Sequence, residues 1–279
     1  MSNLTIIDRH NYLFRAFYGV PEAARTKGGT QVNAVYGFFA FLRQIVAAYP
    51  QNKLFVVFDS EMGISDKLQE KEEYKDNRVV NTDMFKQLPF IKNILDIMNI
   101  KWLEHPRFEA DDIIASMAVS WTQKFGNVYI SSNDFDFVQM VSDKIHLIRS
   151  VQGKLINCDE KFIKQKFNIK PGQYVEYLSM VGDKTDNIAG VVGVGPKTAS
   201  DMLNQHGNID KIFEQVYRLP NGIQKKLLNG RDLINRNQKF IMMKKDIPND
   251  ELLSGELPPT MPELVQQKIA IYLSKIGVR

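Results

Sequence analysis

Aspartate closes three apolar runs in this chain: Leu4-Thr5-Ile6-Ile7-Asp8, Leu54-Phe55-Val56-Val57-Phe58-Asp59 and Val128-Tyr129-Ile130-Ser131-Ser132-Asn133-Asp134. Other acidic residues cluster in Glu109-Ala110-Asp111-Asp112, Asp134-Phe135-Asp136 and Asp183-Lys184-Thr185-Asp186. Each cluster alone has an ordinary explanation. Acidic residues favour helix N-termini through the macrodipole, Asp-x-Asp is a common N-cap or turn pattern, and Gly182-Asp183 reads as a capped turn. Together they point elsewhere, because converging carboxylates repel one another unless they share a cation. An oxygen-only donor set suits hard divalent ions, Mg²⁺ or Mn²⁺. His10 and His105 are not at ligand spacing, which argues against zinc. Two such ions roughly 3.5–4 Å apart would stabilise the attacking and leaving oxygens of a phosphodiester displacement and activate a water. The candidate ligands are Asp8, Asp59, Glu109, Asp111, Asp112, Asp134, Asp136, Asp183 and Asp186.

The elements that must position these groups follow from the apolar pattern. Short runs rich in β-branched and aromatic residues, separated by helical stretches, read as buried parallel strands. In open α/β sheets ligands bind beyond the carboxyl ends of the strands, where the three aspartates fall. Helices are expected over 10–18 and 31–49, the second with Val35, Phe38, Phe39, Leu42, Ile45 and Val46 on one face. A helix over 83–98, a short strand near 101–103, a helix over 110–124 and a strand over 127–132 continue the rhythm. Two short strands, 144–149 and 154–157, are expected to turn at Gly153. Within the 110–124 helix, Glu109 and Asp112 share a face while Asp111 points elsewhere. Residues 60–82 are charged and lack an apolar pattern, as functional lids do. From about 159 onward the chain is mostly helical with Gly and Pro punctuation. The expected division is 1–158 and 159–279, with the Pro258-Pro259 and Pro262 tail as a surface wrap.

The chain has 279 residues, 44% apolar and 24% charged, enough for a sizeable core in one or two domains. Cys158 is the one cysteine, which excludes an intrachain disulfide and a cysteine metal cage. The first strand begins at Leu4, leaving no room for a signal peptide, and no apolar run approaches a membrane span. The expectation is a cytoplasmic protein with no membrane partner. The net charge of +4 understates the basic surface if the acidic clusters are spent on metal. A basic surface around an acidic pocket suits a polyanion such as nucleic acid.

Gly190-Val191-Val192-Gly193-Val194-Gly195-Pro196-Lys197-Thr198-Ala199 is the second chemical motif. It misses the phosphate-binding P-loop because Pro196 separates Gly195 from Lys197 and a helix, not a strand, precedes it. A helix–glycine hairpin–helix remains, over about 183–204. Its backbone amides, the following helix N-terminus and Lys197 can hold a DNA phosphate without reading sequence.

On these residues the chain resembles the 5′ nuclease family: the 5′→3′ exonuclease domain of bacterial DNA polymerase I, its free-standing and phage relatives, and the flap endonucleases. The match spans about 4–205 and includes Asp8 through Phe14-Arg15, Phe58-Asp59, Tyr74-Lys75-Asp76-Asn77-Arg78, the three acidic clusters and Gly193 through Ala199. The resemblance implies a PIN-like parallel sheet flanked by helices with a helical helix-hairpin-helix C-terminal region. It implies a two-metal-ion 5′→3′ exodeoxyribonuclease and flap endonuclease acting on branched or nicked DNA in replication and repair. It further implies a nucleoid-associated monomer working beside a separate DNA polymerase. Residues 60–82 would form the arch passing the 5′ strand. Lys75, Arg78 and Arg15 fall on catalytic basic positions, Lys67 on a DNA-binding arch position, and Phe14 or Tyr12 would stack on an unpaired base. Gly193, Gly195, Lys197 and Thr198 would grip duplex DNA, with K⁺ on the backbone at Val191, Gly193 and Gly195.

The chain departs from the pattern at Arg9, where glycine is usual, at Lys67, usually Arg, at Phe135, often Lys, and at Ala189, usually Pro. Arg9 is expected either to strain a turn needing positive φ or to add a phosphate contact. Two other readings remain open at this stage. One is a catalytically weak branched-DNA binding protein of the same fold. The other is a PIN-type ribonuclease, against which the duplex-gripping hairpin argues.

Overall fold

The computed structural model describes residues 2–22, 25–59, 82–248 and 262–275. The apolar runs form strands β1 (Leu4–Asp8), β2 (Lys53–Phe58), β3 (Lys101–Glu104), β4 (Val128–Ser131), β5 (Ile145–Val151) and β6 (Lys154–Asn157). They pair in the order β3-β2-β1-β4-β5-β6. The first five are parallel and β6 returns antiparallel. Gln152 and Gly153 both take positive φ (49° and 75°), the backbone of a two-residue turn matched to strand twist.

Alternation along the strands feeds two hydrophobic clusters, one on each face. Ile7, Leu54, Val56 and Phe58 face helices α1 (Arg9–Gly19), α2 (Asn33–Ala48), α3 (Thr82–Phe85) and α4 (Leu88–Ile97). Leu4, Ile6, Phe55 and Val57 face α5 (Ala110–Lys124). The cluster on the α5 face runs on through Cys158 and Ile163 into the C-terminal helices. These are α6 (Glu160–Phe167), α7 (Tyr174–Val181), α8 (Pro196–His206), α9 (Ile209–Glu214) and α10 (Asn221–Ile241). A hairpin of β7 (Gly182–Asp183) and β8 (Ile188–Ala189) joins α7 to the glycine turn before α8.

Two helical expectations are corrected. The stretch 83–98 is two helices, because Pro89 cannot donate to the preceding turn and sits in the first turn of α4 instead. Gln87 at the break puts its Oε1 on the Ala34 backbone N–H (2.9 Å) and its Nε2 on Asn33 Oδ1 (3.1 Å). The tail read as a surface wrap is helical over Pro262–Lys275 (α11). It is anchored where Lys268 donates to the Ile97 carbonyl (2.9 Å) and Asn93 to Tyr272 (3.3 Å).

Candidate active site

The strand order turns back on itself between β1 and β4, and in such sheets the crevice at that point takes the ligand. Asp8 ends β1 and caps α1, with Oδ1 accepting the His10 N–H at 3.1 Å. Its Oδ2 accepts the Ser132 hydroxyl at 2.6 Å, and Ser132 Oγ accepts the Asp134 N–H at 3.0 Å. Asp134 caps the 3-10 turn Phe135–Met140 by accepting the Asp136 N–H at 2.9 Å. One serine thus holds the β1 carboxylate to the loop carrying the Asp-x-Asp pair. Burial pushes the Asp8 carboxyl up to about 7; the Ser132 bond opposes that shift and the charges of Asp59 and Asp134 add to it.

Asp59 follows β2, and its Oδ1 accepts the Ala110 N–H at 3.0 Å. Its Oδ2 stands 3.6 Å from His10 Nδ1. Glu109 is the N-cap of α5 by backbone but makes no capping bond with its own side chain. Asp59, from another element, satisfies the N–H of Ala110, so the acidic cluster at this helix start is not explained by local capping. Asp111 and Asp112 lie in the first turn. Asp112 is buried, and its Oδ1 accepts the Lys244 N–H at 2.9 Å from the segment following α10. That segment is latched to α5 again, since Ser116 Oγ donates to the Lys244 carbonyl (3.1 Å) and accepts the Ile247 N–H (3.2 Å).

Asp183 lies in β7 and accepts the Thr185 N–H at 2.7 Å; Asp186 is buried in the turn before β8. The buried Tyr174 phenol feels both this hairpin and the 134–136 pair. Burial raises its pKa first, then the carboxylates of Asp136, Asp134 and Asp183, so all three lie within electrostatic reach of one hydroxyl. Asp8 thus feels the charges of Asp59 and Asp134, and the Tyr174 hydroxyl those of Asp136, Asp134 and Asp183. Among the described residues, no three His, Cys, Asp or Glu side chains stand close enough to hold an ion as they are placed. The donor chemistry nonetheless fits a divalent cation: the groups are carboxylates, and the buried one at β1 is held against two neighbouring charges that a cation would offset.

Arg15 is exposed and reaches the Ser150 carbonyl on β5. Phe14 is half-buried, tilted against His10 and Tyr18. Lys67, Lys75 and Arg78, with all but the last residue of the expected arch, lie outside the described residues. Arg9 corrects its expectation in both respects. It opens α1 without positive φ, and it is fully buried with its guanidinium 4.9 Å from the Phe58 ring centroid, away from solvent-borne phosphate. Sequence reasoning missed Ser132, Tyr174, Arg149 and Lys244. Only the Ser131-Ser132 doublet at a buried strand end gave a local signal.

The glycine motif folds as expected. Val191 N–H bonds the Met180 carbonyl (2.8 Å), Val194 N–H bonds the Val191 carbonyl (2.9 Å), and Gly193 has φ +79°. Gly195 precedes Pro196 at the first turn of α8. Gly182 and Gly190 must be glycines. A Cβ on Gly182 would lie 2.4 Å from Gly190 N, and one on Gly190 would lie 2.1 Å from the Val181 carbonyl oxygen. Lys197 is exposed and Thr198 half-buried at the start of α8. The carbonyls expected to hold K⁺ already have donors: Val194 N–H on Val191, Ala199 N–H on Gly195 (3.0 Å) and Lys226 Nζ on Gly193 (3.1 Å). No helix among the described residues is long and apolar enough to cross a membrane.

A parallel sheet with carboxylates at its switch point, continuous with a helical region that holds a glycine hairpin, is the architecture of a nuclease of the 5′-3′ exonuclease class. Family models agree: the 5′-3′ exonuclease N-terminal resolvase-like domain matches residues 3–168 and the 5′-3′ exonuclease C-terminal SAM fold matches 169–259. The chain belongs to the 5′-3′ exonuclease family. The 5′-3′ exonuclease of Aquifex aeolicus is 37% identical over 77% of this chain and 73% of that protein. DNA polymerase I of Treponema pallidum is 31% identical over 88% of this chain, which spans only 25% of the polymerase. Among solved structures, a T5 5′-exonuclease with divalent metal ions (zinc) superposes with a TM-score of 0.71, 19% identity and 98% coverage of both chains. The Rad2 catalytic core in complex with DNA substrate gives 0.61 at 16% identity, covering 98% of this chain and 88% of that one. At these identities the superpositions establish the fold.

Proposed function

We propose that this chain is a structure-specific 5′ nuclease. It hydrolyses phosphodiester bonds in DNA at 5′ flaps and 5′ ends, as 5′-flap endonuclease and 5′→3′ exonuclease in replication and repair. The observation that supports this reading is Asp8 at the end of β1, bonded through Ser132 to the Asp134 loop at the switch point of the sheet, in a chain matched along most of its length by the two 5′-3′ exonuclease family models. Asp8, Asp59, Glu109, Asp111, Asp112, Asp134, Asp136, Asp183 and Asp186 would hold two or more Mg²⁺ ions, with Mn²⁺ able to substitute. When bound, the ions supply Lewis-acid stabilisation of the phosphate and activation of a water. Within the protein, Ser132 orients Asp8 and the Asp134 loop together, and the Lys244 N–H fixes one oxygen of Asp112. Arg15, Lys75 and Arg78 steady charge on the scissile phosphate. Phe14 stacks on an unpaired base, Lys67 contacts the strand in the arch, and Gly193, Gly195, Lys197 and Thr198 bind the duplex backbone.

The division into 1–158 and 159–279, a monomeric state, nucleoid association and work beside a separate DNA polymerase belong to the same proposal. K⁺ at the hairpin would have to share the Gly193 carbonyl with the Lys226 ammonium. The test is incubation with a 5′-flap duplex, a blunt duplex and a single strand, each with Mg²⁺ or EDTA, beside Asp112→Asn. Cutting at the flap junction that needs Mg²⁺ and is lost in the variant supports the reading. Tight flap binding without cutting in Mg²⁺ or Mn²⁺ would leave a branched-DNA binding protein, and RNA cleavage resistant to duplex DNA competitor would leave a ribonuclease.

A further inference from the structure

Phe135, between the two acidic residues of the 134–136 pair, packs into an aromatic group on α6. Its ring is stacked at 6.5 Å from Phe162 and meets Phe167 edge-on at 5.2 Å. Two cations stand on this fixed ring. The Arg149 guanidinium carbon, from β5, is 3.6 Å from its centroid, and Lys166 Nζ, from α6, is 4.8 Å away. Arg149 Nε and Nη2 both donate to the Asn133 carbonyl, at 3.2 and 2.9 Å. Among the described residues its remaining N–H groups have no acceptor, and neither Arg149, Lys166 nor Arg15 forms an ion pair with a carboxylate. Arg15 joins them from the other side by bonding the carbonyl of Ser150, the residue after Arg149.

We propose that Arg149 and Lys166, carried on the Phe135 ring, form a phosphate-binding subsite for the DNA strand flanking the carboxylate centre. This inference rests on the nuclease reading above and adds to it residues that no part of that reading uses. The chemistry is specific. A guanidinium anchored on one edge by a carbonyl and on its face by a ring has lost its rotational freedom before the ligand arrives, and its free N–H groups suit phosphate oxygens. Stacking on the ring supports a cation whose burial would otherwise disfavour it. A role for Arg149 as a mere latch on the Asn133 loop accounts for the two carbonyl bonds. It does not account for a second, exposed cation gathered on the same ring. Two like charges held on one ring and in no ion pair within 4 Å are relieved by a polyanion, and the ligand they fit is a backbone phosphodiester or a 5′-terminal phosphate.

The test is the affinity of the full chain for a 5′-flap duplex in EDTA, measured by fluorescence anisotropy over a salt series. The flap carries either a 5′-phosphate or a 5′-hydroxyl. The variants are Lys166→Ala, at an exposed position, and Arg149→Gln, which keeps a donor for the Asn133 carbonyl, each with its melting temperature measured beside wild type. Each is expected to lower the slope of log Kd against log salt by roughly one unit and to weaken binding by about threefold or more. Equal losses on both flaps assign a backbone phosphate; losses confined to the phosphorylated flap assign the terminal one. Wild-type slopes in both variants, with wild-type protein binding normally, would overturn the subsite alone. Wild-type protein that shows no salt-dependent DNA binding would overturn the nuclease reading and the subsite with it.

Discussion

At the scale of single residues, Asp8 carries the sharpest consequence. Its carboxyl is raised to about 7 by burial and by Asp59 and Asp134, so folding favours the protonated form. The stability this group contributes to metal-free protein is full below about pH 4 and is lost as pH rises through about 7. Asp8→Asn is therefore expected to stabilise the protein in EDTA at pH 8 by about 1–3 kcal/mol while abolishing cleavage. Melting curves in EDTA and in Mg²⁺ check this; a variant less stable than wild type in EDTA would contradict it. Arg9 runs the other way. Its side chain is fully buried against Phe58, so Arg9→Gly removes packing and a helix-forming residue. Denaturant unfolding is expected to show a loss of about 2 kcal/mol or more. The aspartates were legible in the sequence because each ends an apolar run. Ser132 and Arg149 were not, because their partners Asp8 and Phe135 are distant in sequence or depend on how β4 and β5 lie side by side.

At the scale of elements, strand positions followed closely from runs of β-branched residues, and the β5–β6 turn fell on Gly153 as expected. The unbroken helix over 83–98 failed at Pro89, a local signal, and Gln87 at the break takes a tertiary role, bonding the start of α2, that no local pattern reveals. The β7–β8 hairpin was legible as a glycine turn but not as strands, since two-residue strands have no periodicity to read. Its geometry depends on the close approach of Gly182 and Gly190. Gly182→Ala places a methyl at positive φ (82°) against backbone, and is expected to cost about 2–4 kcal/mol. Because the same hairpin carries Asp183 and Asp186, cleavage should slow in the fraction that stays folded. Calorimetry with an active-fraction assay measures both, and unchanged stability would refute the packing argument.

At the scale of the whole molecule, the α5-face cluster makes the sheet and the C-terminal helices one continuous core. The resemblance covered this region only loosely after residue 205, and the way the chain returns from α10 to α5 was not visible in it. That return places Lys244 on Asp112 and is held by Ser116, so the helical region reaches into the carboxylate centre. Ser116→Ala is expected to reduce the cleavage rate by about 10-fold, as loss of an orienting group does, with DNA affinity unchanged. Equal loss of rate and affinity would assign Ser116 to general stability instead.

If carboxylates at the β1–β4 crevice are the reacting centre for DNA, removing the charge of Asp134 must disable cleavage. The single-turnover cleavage rate of a 5′-flap duplex in saturating Mg²⁺ for Asp134→Asn beside wild type is expected to fall by about 100-fold or more. A variant cutting within threefold of wild type at the same position would place the chemistry elsewhere in the molecule.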